Sequence, residues 1–132
     1  MKFKGILTDQ LCMKDFYSIV ATFARLSKRA VFNIKKDSLC ISNIGIGMNA
    51  NPTAWSEIGH EHFFAQFNMK GVDEQFDEIW LTFYPEQLAI ALNMLKTHFV
   101  KVIVVKLTNK QFPCLSIDIE MVSKIHNKLF NK

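Results

Sequence analysis

The segment that follows Thr8 and Asp9 restricts the fold of this chain more than any other. Both residues are good helix caps. The apolar residues that come next recur at steps of four, three, four and three: Cys12, Phe16, Ile19, Phe23 and Leu26. This spacing predicts an amphipathic helix of about 17 residues. One apolar face of that length needs a second layer of structure to cover it.

The rest of the chain reads mainly as strands. Strands are predicted at residues 29–35, 38–42, 54–58, 64–69, 78–83, 100–107 and 114–121. The first two form a hairpin that turns at Lys36 and Asp37, and a Gly- and Asn-rich loop follows at 43–52. A second helix begins at Pro85 and ends near His98, and its predicted core face carries Leu88, Ala91, Leu92 and Leu95. We therefore expect an α+β fold in which two helices cover one face of a largely antiparallel sheet.

Chain length and composition favour one domain whose core needs no disulfide or metal to stabilise it. The chain has 132 residues, of which 49% are hydrophobic, and twelve phenylalanines provide bulk for a core. No apolar run reaches the length of a membrane span or of a secretory signal. The three cysteines are far apart in the sequence, as is typical of a reducing compartment. We expect a domain at residues 1–123 and, at 124–132, a basic tail or the start of a connector.

The residue types that carry catalysis or bind metal are present but poorly arranged. His60 and His62, two apart on a predicted strand, would need a third ligand such as His98 or His126 to hold zinc. Cys12 falls on the apolar face of the first helix, where a thiol is inert. The Gly45-Ile46-Gly47 segment lacks the setting of a phosphate-binding turn. The acidic residues Asp73, Glu74, Asp77 and Glu78 lack the order of a calcium loop. We predict no enzymatic activity, no metal and no cofactor.

Positive charge on the outer face of the first helix is the feature to pursue. Lys14, Arg25 and Lys28 recur there at helical steps. Phosphate neutralisation needs only positive charge near the backbone, so such a face would bind a polyanion without regard to sequence. An ordinary solvated face is the alternative.

Four segments resemble a known family. They are Met1-Lys2-Phe3, the stretch from Ala24 to Lys28, the stretch from Phe63 to Val72, and the stretch Leu107-Thr108-Asn109-Lys110-Gln111-Phe112-Pro113-Cys114-Leu115. Their order and spacing are similar to those of the N-terminal domain of the Hus-one type subunit of the nine-one-one checkpoint clamp. The resemblance covers nearly the whole chain.

The resemblance implies a sliding-clamp fold and a non-enzymatic role. A ring of three different subunits, each with two similar domains, encircles double-stranded DNA at sites of damage, with its helices around the hole. An ATP-dependent loader places the ring, which supports checkpoint signalling and DNA repair. The implied partners are two sister subunits, the loader and DNA, with no membrane. The implied location is the nucleus, with or without a cytoplasmic pool.

Two departures from the family pattern qualify this expectation. The family subunit is about twice as long as this chain, which would make the chain a fragment, a truncated product or a shortened paralogue. In the second helix, Ile90 and Asn93 stand where basic residues usually face the hole, and only Lys96 is nearby. The predicted DNA-facing residues are thus Lys14, Arg25, Lys28 and Lys96.

The last predicted strand is a candidate subunit interface. Leu115, Ile117, Ile119 and Met121 are expected to face the core, with Ser116, Asp118 and Glu120 outward. By resemblance, an edge from Cys114 to Met121 would pair with a sister subunit. The competing hypotheses are a clamp-fold interaction module that no longer encircles DNA and, third, a small enzyme whose catalytic residues the sequence does not reveal.

Overall fold

The computed structural model describes residues 1–43, 54–109 and 111–121. Most of the predicted 43–52 loop, including Gly45 and Gly47, lies outside these ranges, as do the predicted 124–132 tail and His126. Within them, eight strands and three helices alternate in an α+β arrangement. The predicted fold class is confirmed.

The first sheet contains both ends of the described chain. Its strands are β1 (Lys2–Leu7), β5 (Gln66–Lys70), β7 (Val100–Asn109) and β8 (Pro113–Met121). They are ordered β5-β1-β7-β8, and every neighbouring pair is antiparallel. Apolar and polar residues alternate along β1, so that Phe3 and Leu7 are buried while Lys2 and Lys4 are exposed.

The second sheet is also antiparallel and four-stranded. Its strands are β2 (Ala30–Ile34), β3 (Ser38–Asn43), β4 (Trp55–Gly59) and β6 (Ile79–Phe83), ordered β4-β3-β2-β6. The predicted hairpin is present, because β2 and β3 pair and Lys35 N–H donates to Ser38 O. The two edge strands carry the chain's two tryptophans, Trp55 and Trp80, which are 67% and 64% exposed.

Helix α1 (Gln10–Leu26) has the predicted length and cap. Asp9 accepts hydrogen bonds from Leu11 N–H at 2.8 Å and Cys12 N–H at 3.2 Å. Its buried face is turned by about one residue from the prediction: Met13 and Val20 are fully buried, whereas Leu26 is 53% exposed. Phe16 and Phe23 are buried as predicted, whereas Cys12 and Ile19 are only partly buried against the core.

The second predicted helix is shorter than expected. Helix α3 (Pro85–Leu92) begins at the predicted proline, but the chain continues as a 3-10 turn (Asn93–Lys96) rather than as α-helix to His98. Leu88, Leu92 and Leu95 are buried as predicted, while Ala91 is exposed. α3 packs against α1, and both contribute to one core with the two sheets.

A short helix α2 (His60–Phe63) connects β4 to β5. The prediction that His60 and His62 lie on a strand is wrong. The hydrogen bond from Phe64 N–H to His60 O closes a helical turn there. Residues two apart on a helix are rotated by about 200° and do not share a face.

Candidate nucleic-acid interface and edge strand

The burial of α1 determines which of its side chains face solvent. Met13, Phe16, Val20 and Phe23 point into the core. Lys14 and Arg25 lie on the exposed side of the helix, and Lys28 is exposed just past its end. Cations on a solvent-facing helix surface are free to approach a polyanion.

Lys96 reaches α1 from the 3-10 turn. Its Nζ lies 5.5 Å from the centroid of the Tyr17 ring, a cation–π contact. Tyr17 OH also donates to Asn93 Oδ1 at 3.4 Å. Because Tyr17 is three residues after Lys14 on the same helix, the two side chains are neighbours. The packing of α3 on α1 therefore brings Lys96 to the side of α1 that carries Lys14.

The exposed surface of α3 is apolar at its centre. Ile90 is 67% exposed, and Asn93 is engaged with Tyr17 as described. Neither residue offers a positive charge. The cationic surface of the two helices thus consists of α1 and the end of the 3-10 turn.

β8 is an edge strand among the described residues, since only β7 pairs with it. The predicted alternation is largely present: Leu115, Ile117 and Ile119 pack against the core, while Asp118 and Glu120 are exposed. Met121, expected in the core, is 45% exposed because it lies at the end of the strand. The unpaired side of β8 presents backbone donors and acceptors that another strand could use.

An apolar cleft of about 460 Å³ borders β8. Phe112, Pro113 and Leu115 line one side, and Tyr84 and Leu88, where α3 begins, line another. This cleft was not predictable from the sequence, because it forms only where β6, α3 and β8 meet. It extends the apolar surface next to the unpaired edge.

Cys12 and Cys114 differ in their surroundings. Burial, followed by the charge of Asp9, raises the pKa of the Cys12 thiol above its usual value, which disfavours the reactive thiolate. Cys114 is exposed on β8, and Thr108 Oγ1 lies 3.1 Å from its Sγ. Neither cysteine has a histidine among the contacts described.

The residues considered for metal binding are not brought together in the described parts of the chain. His60 stacks on the Phe67 ring at a centroid distance of 5.5 Å. His98 Nδ1 is 2.8 Å from the hydroxyl of Thr97. No group of three or more histidine, cysteine or acidic side chains is close enough to hold an ion in those ranges. The expectation of no metal stays a prediction.

Within the described residues, no helix is both long and apolar enough to cross a membrane.

Comparisons with known proteins give the family. A model of the family described as "Hus1-like protein" matches residues 1–130. The chain is 33% identical over 123 residues to "Checkpoint protein HUS1" of Homo sapiens, an alignment that covers 93% of this chain and 43% of the human protein. It is 32% identical over 118 residues to "Checkpoint protein Hus1-like" of Drosophila melanogaster, covering 89% and 42%. The chain thus spans less than half the length of these relatives, and it belongs to the Hus1-like protein family.

Proposed function

We propose that this chain forms the N-terminal domain of a non-enzymatic subunit of the checkpoint clamp, a heterotrimer that encircles double-stranded DNA at sites of damage. The match to the Hus1-like family over residues 1–130 carries this proposal. In it, an ATP-dependent loader places the ring on DNA in the nucleus, and the ring supports checkpoint signalling and repair. Two sister subunits complete the ring.

The exposed cations of α1 supply the contact with DNA in this proposal. Lys14, Arg25 and Lys28 face solvent, and Lys96 lies against Tyr17 beside them. Their charges would neutralise phosphates and release counterions, which makes binding dependent on salt and independent of base sequence. A protein that slides along DNA needs binding of this kind.

β8 supplies the contact with a sister subunit in this proposal. Its unpaired backbone favours the addition of a strand from another chain. The neighbouring cleft would take apolar side chains from the same partner. The interface would extend from Cys114 to Met121.

A second candidate function is that of an interaction module of clamp fold that no longer encircles DNA. The surface of α3 favours it, because Ile90 is exposed and Asn93 is occupied by Tyr17. A helix without cations contributes nothing to phosphate binding. The two candidates differ in one measurable property, the affinity for duplex DNA.

The test measures binding of the chain to a labelled DNA duplex by fluorescence anisotropy across a range of salt concentrations. Reversing two charges in Arg25→Glu/Lys28→Glu should weaken binding and reduce the slope of log affinity against log salt by about two, one for each phosphate that is no longer neutralised. The pair Lys35→Glu/Lys101→Glu makes the same charge change away from the end of α1 that carries Arg25 and Lys28, and should leave the slope unchanged. Adding cations in Ile90→Arg/Asn93→Lys should strengthen binding.

Equal effects of the two charge-reversal variants would show that net charge, not α1, governs binding. No binding to duplex DNA at low salt by either the chain or the Ile90→Arg/Asn93→Lys variant would favour the interaction module.

A further inference from the structure

Four lysines that are distant in the sequence lie on one face of the first sheet. In the antiparallel register, Lys2 is directly opposite Lys70, and Lys4 is directly opposite Lys106. Phe3 lies between Lys2 and Lys4 on β1, and its side chain is buried. The four lysines therefore point away from the core, and we name this surface the lysine face.

The lysine face is compact. Neighbouring strands lie about 4.8 Å apart, and residues two apart along a strand are separated by about 7 Å. The four Cα atoms therefore fall within a block of about 10 by 7 Å. The four lysines and Asn68, with the intervening Phe3, Met69 and Leu107, line a shallow depression of about 410 Å³.

Such an arrangement weakens the sheet. Like charges directly opposite each other on neighbouring strands are destabilising, and here two such pairs share β1. Among the described residues, the ion pair on this face joins Lys106 Nζ to Asp118 Oδ2 at 3.2 Å. Lys70 also lines a second depression that contains Asp73 and Asp77. Neither Lys2 nor Lys4 forms an ion pair with a carboxylate of the described residues.

The same sheet is acidic at its other edge. Asp118 lies on β8 with Glu120 two residues further along the strand, and both are exposed. The face therefore changes sign between β7 and β8. A DNA duplex carries negative charge at every 1.7 Å or so of its axis, so lying across the sheet it would meet these carboxylates. A narrow ligand could occupy the basic half alone.

We propose that the lysine face binds an extended segment of a partner protein that is rich in Glu or Asp. Side chains on the same side of an extended peptide recur about every 7 Å, which is also the separation of Lys2 and Lys4 along β1. Carboxylates at that spacing would separate the opposed lysines and convert their repulsion into ion pairs. This site is distinct from α1 and does not depend on the clamp function.

The test uses the full chain and a short fluorescein-labelled peptide in which Glu alternates with Ser, with Gln in place of Glu as the control peptide. Anisotropy should show binding of the Glu peptide and not of the Gln peptide. Lys2→Glu/Lys4→Glu should weaken this binding by about tenfold or more. Lys2→Gln/Lys4→Gln, which introduces no new charge, should weaken it less. Arg29→Glu/Lys35→Glu makes the matching charge change beside the second sheet and should bind the Glu peptide like the parent.

Three outcomes would overturn the proposal. The first is no preference for the Glu peptide over the Gln peptide. The second is an equal loss in the Lys2/Lys4 and Arg29/Lys35 variants, which would indicate unspecific attraction. The third is that the Lys2/Lys4 variants lose binding to duplex DNA but keep binding to the Glu peptide. That result would show that the lysine face binds nucleic acid instead.

Discussion

Gly71 lies where the chain after β5 turns so tightly that a side chain does not fit. A Cβ atom built there would be 2.3 Å from Phe76 O and 2.5 Å from Asp77 Cα. The turn is held by the bond from Val72 N–H to Phe76 O at 3.0 Å. Lys36, in the turn between β2 and β3, also stabilises it: its Nζ lies 2.9 Å from Asp77 Oδ2. This bond holds the pKa of the Asp77 carboxyl below its usual value.

Gly71→Ala should therefore destabilise the fold. Because the clashing atoms belong to the backbone, they cannot move aside as a side chain could, and we expect the free energy of unfolding to fall by about 1–3 kcal/mol. Urea denaturation measures this change. Gly59→Ala is the matched control, since a Cβ there meets nothing within 4 Å, and it should shift stability by no more than about 0.5 kcal/mol. Similar losses in both variants would contradict the steric explanation.

Single residues were predictable from the sequence to different degrees. The exposure of Lys14 and Arg25 follows from helical spacing alone, and the structure has both exposed. The contact of Lys96 with Tyr17 was not predictable, because it depends on how α3 packs against α1. Periodicity identifies a buried side of a helix, whereas the exact rotation depends on which side chains fill the space beneath it.

At the scale of elements, local signals predicted most of the structure. The cap at Asp9 and the alternation in β8 both follow from the identity of near neighbours. The division of eight strands into two sheets does not, since alternation shows which face of a strand is buried but not which strand pairs with it. The lysine face was missed for the same reason: only strand register brings Lys2 beside Lys70.

The opposed lysines give a prediction about strand pairing. Lys2→Glu should raise the free energy of unfolding by roughly 0.2–1 kcal/mol, because it places opposite charges across β1 and β5. Lys70→Glu should raise it less, because this change also places a carboxylate near Asp73 and Asp77. The double variant places two carboxylates opposite each other and should lose the gain, so a double-mutant cycle by urea denaturation isolates the pair. Additive gains in the double variant would contradict direct pairing.

The edge of β8 gives a second prediction at this scale. Successive residues of an edge strand point their N–H groups alternately toward and away from the neighbouring strand. One of Ser116 and Ile117 therefore has an outward N–H. Ile117→Pro would also remove a side chain that packs against the core, whereas Ser116→Pro changes a polar position and tests the backbone donor more directly. The variant that keeps the thermal unfolding midpoint of the parent should capture the sister subunits poorly in a pull-down. Unchanged capture by that folded variant would count against β8 as the interface.

At the scale of the whole molecule, the two four-stranded sheets of the described residues have two edges each, and β8 is one of these four. We predict that these 132 residues capture one sister subunit but do not close a ring, because the relatives that they match are more than twice as long. Size-exclusion chromatography with light scattering on the chain mixed with both sisters measures this. A stable closed trimer containing the 132-residue chain would contradict the prediction.

The two tryptophans provide an internal optical probe of the second sheet. Trp55 lies on β4 and Trp80 on β6, so each indole marks one boundary strand of that sheet while remaining in contact with water. Unfolding changes their solvation little, and emission should therefore shift only slightly when the chain is denatured. A ligand or neighbouring domain that covers either boundary would instead dehydrate an indole and shift the emission to the blue. Replacing one tryptophan at a time by phenylalanine would show which boundary is covered, without any added label.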